Sequence, residues 1–283
     1  MGWTIGNFYL TESQMRGNAI EVYNYFTEKG WTLNAIAGIL GNMEKESNIN
    51  LGLWQSLKEG NYSGGFGLVQ WTPATNYTNW AAANGYSITD PKGQLYWIDM
   101  ETVEAGQWIE TSDYNITFWG FKTSNAAPDW LASAFLKNFE RAGVEVEAER
   151  RAAATKWYNF LKKSIEGSQV IEKAVQWAIN IANDDSHGYD QTHRDGPDYD
   201  CSSLICWAYS NTGLNTRPGY TPATGSMHDV FVDAGFKDVT SQINLPTGAG
   251  LVRGDVLIKP GSHTEMYIGN SQLVGASQNE HGG

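Results

Sequence analysis

Long apolar runs are missing from this chain. None reaches the roughly 20 residues that a bilayer span needs, so membrane insertion is not expected. Basic residues are scarce: 19 Lys and Arg stand against 31 Asp and Glu, a net charge of −12. That deficit argues against a nucleic-acid partner, because such binding is driven by neutralising phosphates. It also gives no long-range attraction to an anionic surface. Recognition must be short-range, or another component must deliver the protein. Cysteine is limited to Cys201 and Cys206. Five residues apart on one expected helix, they point in different directions and pair poorly, so no disulfide scaffold is read. Met1-Gly2-Trp3-Thr4 lacks a basic region followed by an apolar one. A product made without a signal peptide, reaching outside targets by another route, is the expectation. No internal repeat is found.

Aromatic residues are plentiful, with 12 Trp and 14 Tyr. Rings with polar handles recur at wet recognition surfaces, carbohydrate clefts among them; each ring taken alone suits core packing equally. The length of 283 residues allows two domains, and an apolar fraction of 41% is ordinary for a globular chain.

Residues 12–29 read as a helix capped by Thr11 or Ser13 and stopped at Gly30. A second helix follows from Thr32, with Leu33, Ile36, Ala37, Leu40 and Met43 at helical spacing. Residues 51–75 are rich in Gly, Asn and aromatics and predict a small hairpin or irregular sheet. Helical signals return at 74–85, 91–109 and 128–162. The run from Glu145 to Arg151 reads as a solvated face. The polar stretch 163–168 reads as a linker between a domain at 1–162 and a second at 169–283. The second domain holds a helix over Val170–Ile181 and an acidic loop over Asn183–Asp200. A further helix starts at Cys201, two strand-like runs follow at 254–258 and 263–268, and a turn at 269–271 leads into 272–274. A mainly helical domain followed by an α+β domain is expected.

Glu46 closes the second helix three residues after Met43. Partial burial and the negative end of the helix dipole both favour the protonated carboxyl. A carboxylic acid kept protonated is what glycoside cleavage requires, since the leaving sugar oxygen must take a proton. A solvated residue in the last turn fits the periodicity as well. The residues around it add more. Glu46-Ser47 followed by Gly67-Leu68-Val69-Gln70 resembles the Glu-Ser…Gly-Leu-x-Gln pattern of goose-type lysozymes and lytic transglycosylases. The longer stretches Asn34–Ser47 and Gly64–Thr72 resemble the tail-associated lysozyme domains of phages infecting Gram-positive bacteria, over roughly residues 12–162. That resemblance implies a lysozyme-like fold with Glu46 as catalytic acid. It also implies a glycan cleft lined by Tyr62, Phe66, Gln70 and Trp71. Glu59 and Asp99 are candidate water activators outside the motif.

Cys201 stands in the first turn of its helix behind Asp200. Aligned dipoles and free N–H groups there favour an anion, so the thiol is expected to lose its proton more easily. Attack on an amide also needs a histidine and a group that orients it. His263 opens a strand on which His263, Glu265 and Tyr267 share a face. A buried cysteine and an unrelated surface histidine are the plainer reading of the same residues. The segment Arg194–Ile205 with its Asp-Cys-Ser-Ser core, then Gly254-Asp255-Val256-Leu257 and His263–Asn270, resembles the papain-like NlpC and CHAP superfamily over residues 169–283. That resemblance implies a papain-like α+β fold. It implies thioester cleavage of a peptidoglycan amide by Cys201 and His263, with Tyr189 near the thiolate. The position equivalent to the third group of the site is Gly275, which leaves Ser277, Asn279 and Glu265 as candidates. Calcium occurs in some CHAP domains. His187 and His193 with Asp184, Asp185, Asp190 and Asp195 match no firm ligand loop, so no metal or other cofactor is expected.

Together the two resemblances imply a bifunctional peptidoglycan hydrolase of a phage tail tip. Its partners would be the bacterial wall and phage tail or tail-knob proteins. A holin-dependent endolysin is the alternative within the same chemistry. A degenerate second domain that only binds the wall, motivated by Gly275, is an alternative of another class. The chain closes on Gly282-Gly283 where relatives often continue, which fits truncation or processing.

Overall fold

The computed structural model describes residues 2–104, 106–141 and 146–278. They divide into two units, Met1–Ser164 and Ile165–Gly283. The first is mainly helical and the second is α+β.

In the first unit α1 (Glu12–Glu28) starts at Thr11. Gln14 donates its backbone N–H to the Thr11 hydroxyl, and its side-chain oxygen accepts from the Thr11 N–H, which satisfies two donors at the helix start. Thr32 caps α2 (Leu33–Ser47) through the Ala35 N–H at 3.1 Å. Every residue from Ala35 to Met43 is buried, so α2 is wrapped on all sides. Two glycines admit its neighbours. A Cβ on Gly38 would stand 2.9 Å from the Leu131 Cβ, and one on Gly41 would stand 2.5 Å from the Arg150 carbonyl oxygen. The segment after α2 is turn-rich and joined by isolated bridges between Trp54, Phe66 and Trp71, in keeping with the expected irregular sheet.

Next come α3 (Thr75–Ala83), α4 (Pro91–Glu104), α5 (Phe118–Lys122) and α6 (Pro128–Phe135). The short α5 is absent from the sequence reading because its aromatic residues carry no clear period. A π-turn continues α6 over Leu136–Glu140 and ends at Arg141 in a left-handed conformation. Helix α7 spans Glu147–Ala182. Residues 163–168, expected as a linker, therefore lie inside a helix, and the boundary between the units falls within it. The stretch is polar, yet its residues tolerate a helix. Gly167 costs about 1 kcal/mol, which propagation from amphipathic turns on both sides absorbs.

The second unit holds α8 (Cys201–Ser210), α9 (Thr224–Asp233) and three strands, β1 (Val256–Lys259), β2 (His263–Gly269) and β3 (Gln272–Val274). Helix α9 carries no clear signal in the sequence, because Gly225 and the flanking prolines point to turns. The sheet is antiparallel in the order β1-β2-β3. Val256 pairs with Met266 and Met266 with Val274. Cross-strand partners share a face, and these three join Leu204, Ile205 and Tyr209 in one core.

Candidate functional site

Glu46 lies in the last turn of α2, two residues before Asn48, whose left-handed conformation ends the helix. Its carboxylate accepts a very short hydrogen bond from Arg150 Nη2. The Arg150 side chain is 3% exposed and that of Glu46 is 18% exposed, so the expected partial burial is present. The charge facing the carboxylate is a contact that the sequence did not disclose. Arg150 Nη1 donates to Asn42 Oδ1 at 3.0 Å. Asn42 in turn donates to the carbonyls of Gly38 and Ala132, both at 3.0 Å. The guanidinium is thus fixed through a polar side chain that ties α2 to α6.

The facing wall is held just as closely. Ser47 Oγ donates to the Leu68 carbonyl at 2.9 Å. Buried Gln94 accepts from the Leu68 N–H at 2.9 Å and donates to the Leu51 and Ile88 carbonyls. Gln70, at φ 48, donates to the carbonyls of Leu53 and Gly67 at 3.0 and 3.1 Å. Its amide braces the loop, while the residue still borders a cleft of about 890 Å³. Glu46, Trp54, Trp71, Asn48, Glu140 and Arg150 also line that cleft.

The other expected wall residues fall elsewhere. Phe66 is fully buried beneath Trp54, with ring centroids 4.5 Å apart, because the bridges on both its sides turn it inward. Tyr62 is 49% exposed and borders a neighbouring cavity of about 270 Å³ together with Glu59 and Trp54. Asp99 accepts from Lys122 Nζ at 2.5 Å and from Trp31 Nε1 at 3.0 Å. It is a structural anchor outside the cleft. Glu140, which no motif in the sequence marks, brings a second carboxylate to the cleft. Only its place at the end of a π-turn marks it, and such turns recur at functional sites.

In the second unit, Asp200 caps α8. Its carboxylate accepts from the Ser203 N–H at 2.7 Å, and its own N–H donates to Ser203 Oγ at 2.9 Å. Arg194 braces the cap, donating to the Asp200 carboxylate, to Ser202 Oγ and to the Thr221 and Pro222 carbonyls. Cys201 is 7% exposed. Its thiol is pushed up from the ordinary cysteine value, first by burial and then by the Asp200 charge, against backbone N–H groups of Thr264 and Ser202 that favour the thiolate. The expected acidification is therefore reversed, because desolvation and the capping carboxylate outweigh the helix start. Cys206 is free and buried, and burial raises its thiol to about 12.

His263 and Glu265 sit on the more open face of β2, while Thr264 and Met266 point into the core. The backbone of Thr264, the residue after His263, faces the Cys201 sulfur. No hydrogen bond joins the His263 ring to Cys201 among the described residues. Instead His263 Nε2 lies 3.5 Å from Glu265 Oε1. Tyr189, Gly275 and Ser277 meet at another cavity, of about 240 Å³, together with His187 and Leu204. The Tyr189 hydroxyl accepts from Gln191 Nε2 at 2.9 Å. Asn279 lies outside the described residues, as does Glu145. In the acidic loop, Asp184 and Asp190 are held below the usual carboxylate range, the first chiefly by Ser186 and the second by the backbone N–H groups of His193 and Thr192. Asp195 is lowered by its hydrogen bond with Thr221. These carboxylates are engaged by their own loop and its neighbours. Among the described residues no three His, Cys, Asp or Glu side chains converge as a metal site.

The phage tail lysozyme family profile matches residues 17–161, and an endolysin-like domain profile matches residues 195–273. Morphogenesis protein 1 of Bacillus phage B103 is 44% identical over 177 residues. That alignment covers 62% of this chain and 47% of the relative, so the chain spans about half the length of the curated relative it matches.

Proposed function

The chain belongs to the phage tail lysozyme family, and from that membership we propose that its first unit cuts the peptidoglycan glycan between N-acetylmuramic acid and N-acetylglucosamine. The observation that carries this is Glu46 at the wall of the 890 Å³ cleft, in reach of a long polar ligand and flanked by Trp54 and Trp71. Protonated Glu46 gives its proton to the leaving glycosidic oxygen as the C–O bond breaks. Water then adds to the anomeric carbon and its proton returns to Glu46, while the Arg150 guanidinium beside it stabilises the carboxylate formed between the two proton transfers. Digestion of purified sacculi, read by mass spectrometry, tests this. Glu46→Gln is expected to lower the release of new reducing ends by about 100-fold or more. Release at the wild-type rate rejects the assignment. Anhydro-sugar ends in place of reducing ends identify a transglycosylase.

A second reading takes the second unit as a papain-like cysteine enzyme, and the contact between the Cys201 sulfur and the Thr264 backbone favours it. That contact sets the thiol one residue from His263 on β2. In this reading the Cys201 thiol gives its proton to His263 and attacks an amide carbonyl of the peptide. The amine leaves with that proton, and water cleaves the thioester. The endolysin-like match contains both residues. Loss of peptide-bond products in Cys201→Ala supports it; unchanged products leave the unit as a wall-binding module.

The place of action is the virion tail, where the enzyme opens the host wall at entry in contact with tail or tail-knob proteins. The family and the phage morphogenesis relative support this. No described helix is long and apolar enough to cross a membrane. Immunoblots of purified virions separate this reading from an endolysin, which stays in the lysate.

A further inference from the structure

The geometry points to Glu265 as the residue that positions and polarises His263, and to Gly275 as the vacancy that lets it do so. The functional meaning of this rests on the Cys201 reading above. Three observations converge. His263 Nε2 and Glu265 Oε1 are 3.5 Å apart on the same face of β2. The stem of Glu265 crosses Gly275: a Cβ there would stand 2.9 Å from Glu265 Cγ and 3.6 Å from its Cβ. With any larger residue at 275 the carboxylate would have to leave its course. Neither ring nitrogen is hydrogen-bonded among the described residues, and Nε2 is the one that faces a carboxylate.

The chemistry follows from which nitrogen is engaged. A carboxylate beside Nε2 draws the neutral ring into the Nε2–H tautomer, so the lone pair rests on Nδ1. The same carboxylate stabilises the imidazolium that forms once Nδ1 takes a proton. Glu265 therefore acts through His263 and needs no contact with substrate. Other charged groups set the background. Lys259 pairs with His263 across β1. His228 from α9, Lys237 and Asp238 after it, and Asp255 before β1 border the same cavity of about 470 Å³ as His263 and Glu265. Lys259 and Lys237 bring positive charge to the cavity and Asp238 and Asp255 negative charge, and among the described residues only Glu265 is paired with the ring.

The test is an NMR titration of the His263 imidazole in the full chain. Glu265→Gln is expected to lower its midpoint, because the carboxylate beside the ring is lost. Gly275→Ala, which keeps the carboxylate but displaces its stem, is expected to lower it in the same direction. Glu265→Asp is expected to recover part of the shift. A midpoint unmoved by both Glu265→Gln and Gly275→Ala overturns the assignment. In the peptide-cleavage assay, a shift of the acidic limb of the pH profile with the imidazole midpoint supports it, and a profile unmoved while that midpoint shifts overturns the catalytic meaning of the pair. Cys201→Ala judges the nucleophile separately. If it leaves the peptide products unchanged, the cysteine reading fails while the titration still decides whether Glu265 holds His263.

Discussion

Glu46 shows how one side chain draws its setting from three elements. Helix α2 supplies the carboxylate, α7 supplies Arg150, and the 65–72 loop supplies the opposite wall. Its place at the end of a helix could be read from the sequence, because the apolar spacing of α2 runs out after Met43. Arg150 could not, since it lies in a run that reads as solvated charge yet is 3% exposed. A residue-scale prediction concerns Glu140, the second carboxylate of the cleft. Glu140→Gln is expected to slow glycan cleavage by about 100-fold or more, the scale of a lost general base, with the unfolding midpoint little changed. Paired turnover and melting measurements check it. Phe66 teaches the reverse lesson. An aromatic inside a motif suggested a cleft wall, but the pairing of Phe66 with both Trp54 and Trp71 buried it.

At the scale of elements, helix starts were the most legible features. Thr11, Thr32 and Asp200 all accept from a backbone N–H of the first turn, as their residue types predict. Asp200 does more than cap, because it also receives Arg194. Asp200→Ala is expected to destabilise the second unit by about 2 kcal/mol, since a cap is lost and a half-buried arginine loses its partner. Denaturant unfolding monitored by Trp fluorescence measures this. Close approach between helices is the other element-scale device. Gly41→Ala would put a methyl 2.5 Å from the Arg150 carbonyl. It is expected to cost about 3 kcal/mol through forced backbone movement. It should also lower glycan cleavage, because the same shift moves Arg150 relative to Glu46. The polar turn at 163–168 read as a joint because local composition says nothing about the amphipathic turns that continue α7 on both sides.

Across the whole molecule, burial of titratable groups ties stability to pH. Cys206 has its pKa raised from 9.0 to about 12 by burial. The folded state thus favours the neutral thiol. That contribution is complete below about pH 9, where the unfolded thiol begins to ionise, and it is lost as pH rises toward 12. Cys201 and Tyr209 shift in the same direction, again mainly through burial. Thermal unfolding followed from pH 8 to about pH 11 is expected to show a falling midpoint. The fall should be smaller in Cys206→Ala, where Cys201 and Tyr209 remain. A midpoint that holds constant or rises over that range contradicts the linkage.

The sequence by itself determined the helical first half, the α+β second half, the caps, two of the three strands and the resemblance that singles out Glu46. All of these follow from local spacing, turn chemistry and short motifs. Tertiary structure alone decided what faces each reactive group. Arg150 reaches Glu46 across 104 residues, and Asp99 is withdrawn to an anchor by Lys122 and Trp31; the shared face of His263 and Glu265 lay in the strand period, and only the space at Gly275 beside them did not. The charge state of Cys201 belongs to the same class. Its place at a helix start is local, but its desolvation comes from how tightly β2 packs on α8, and burial outweighs the dipole.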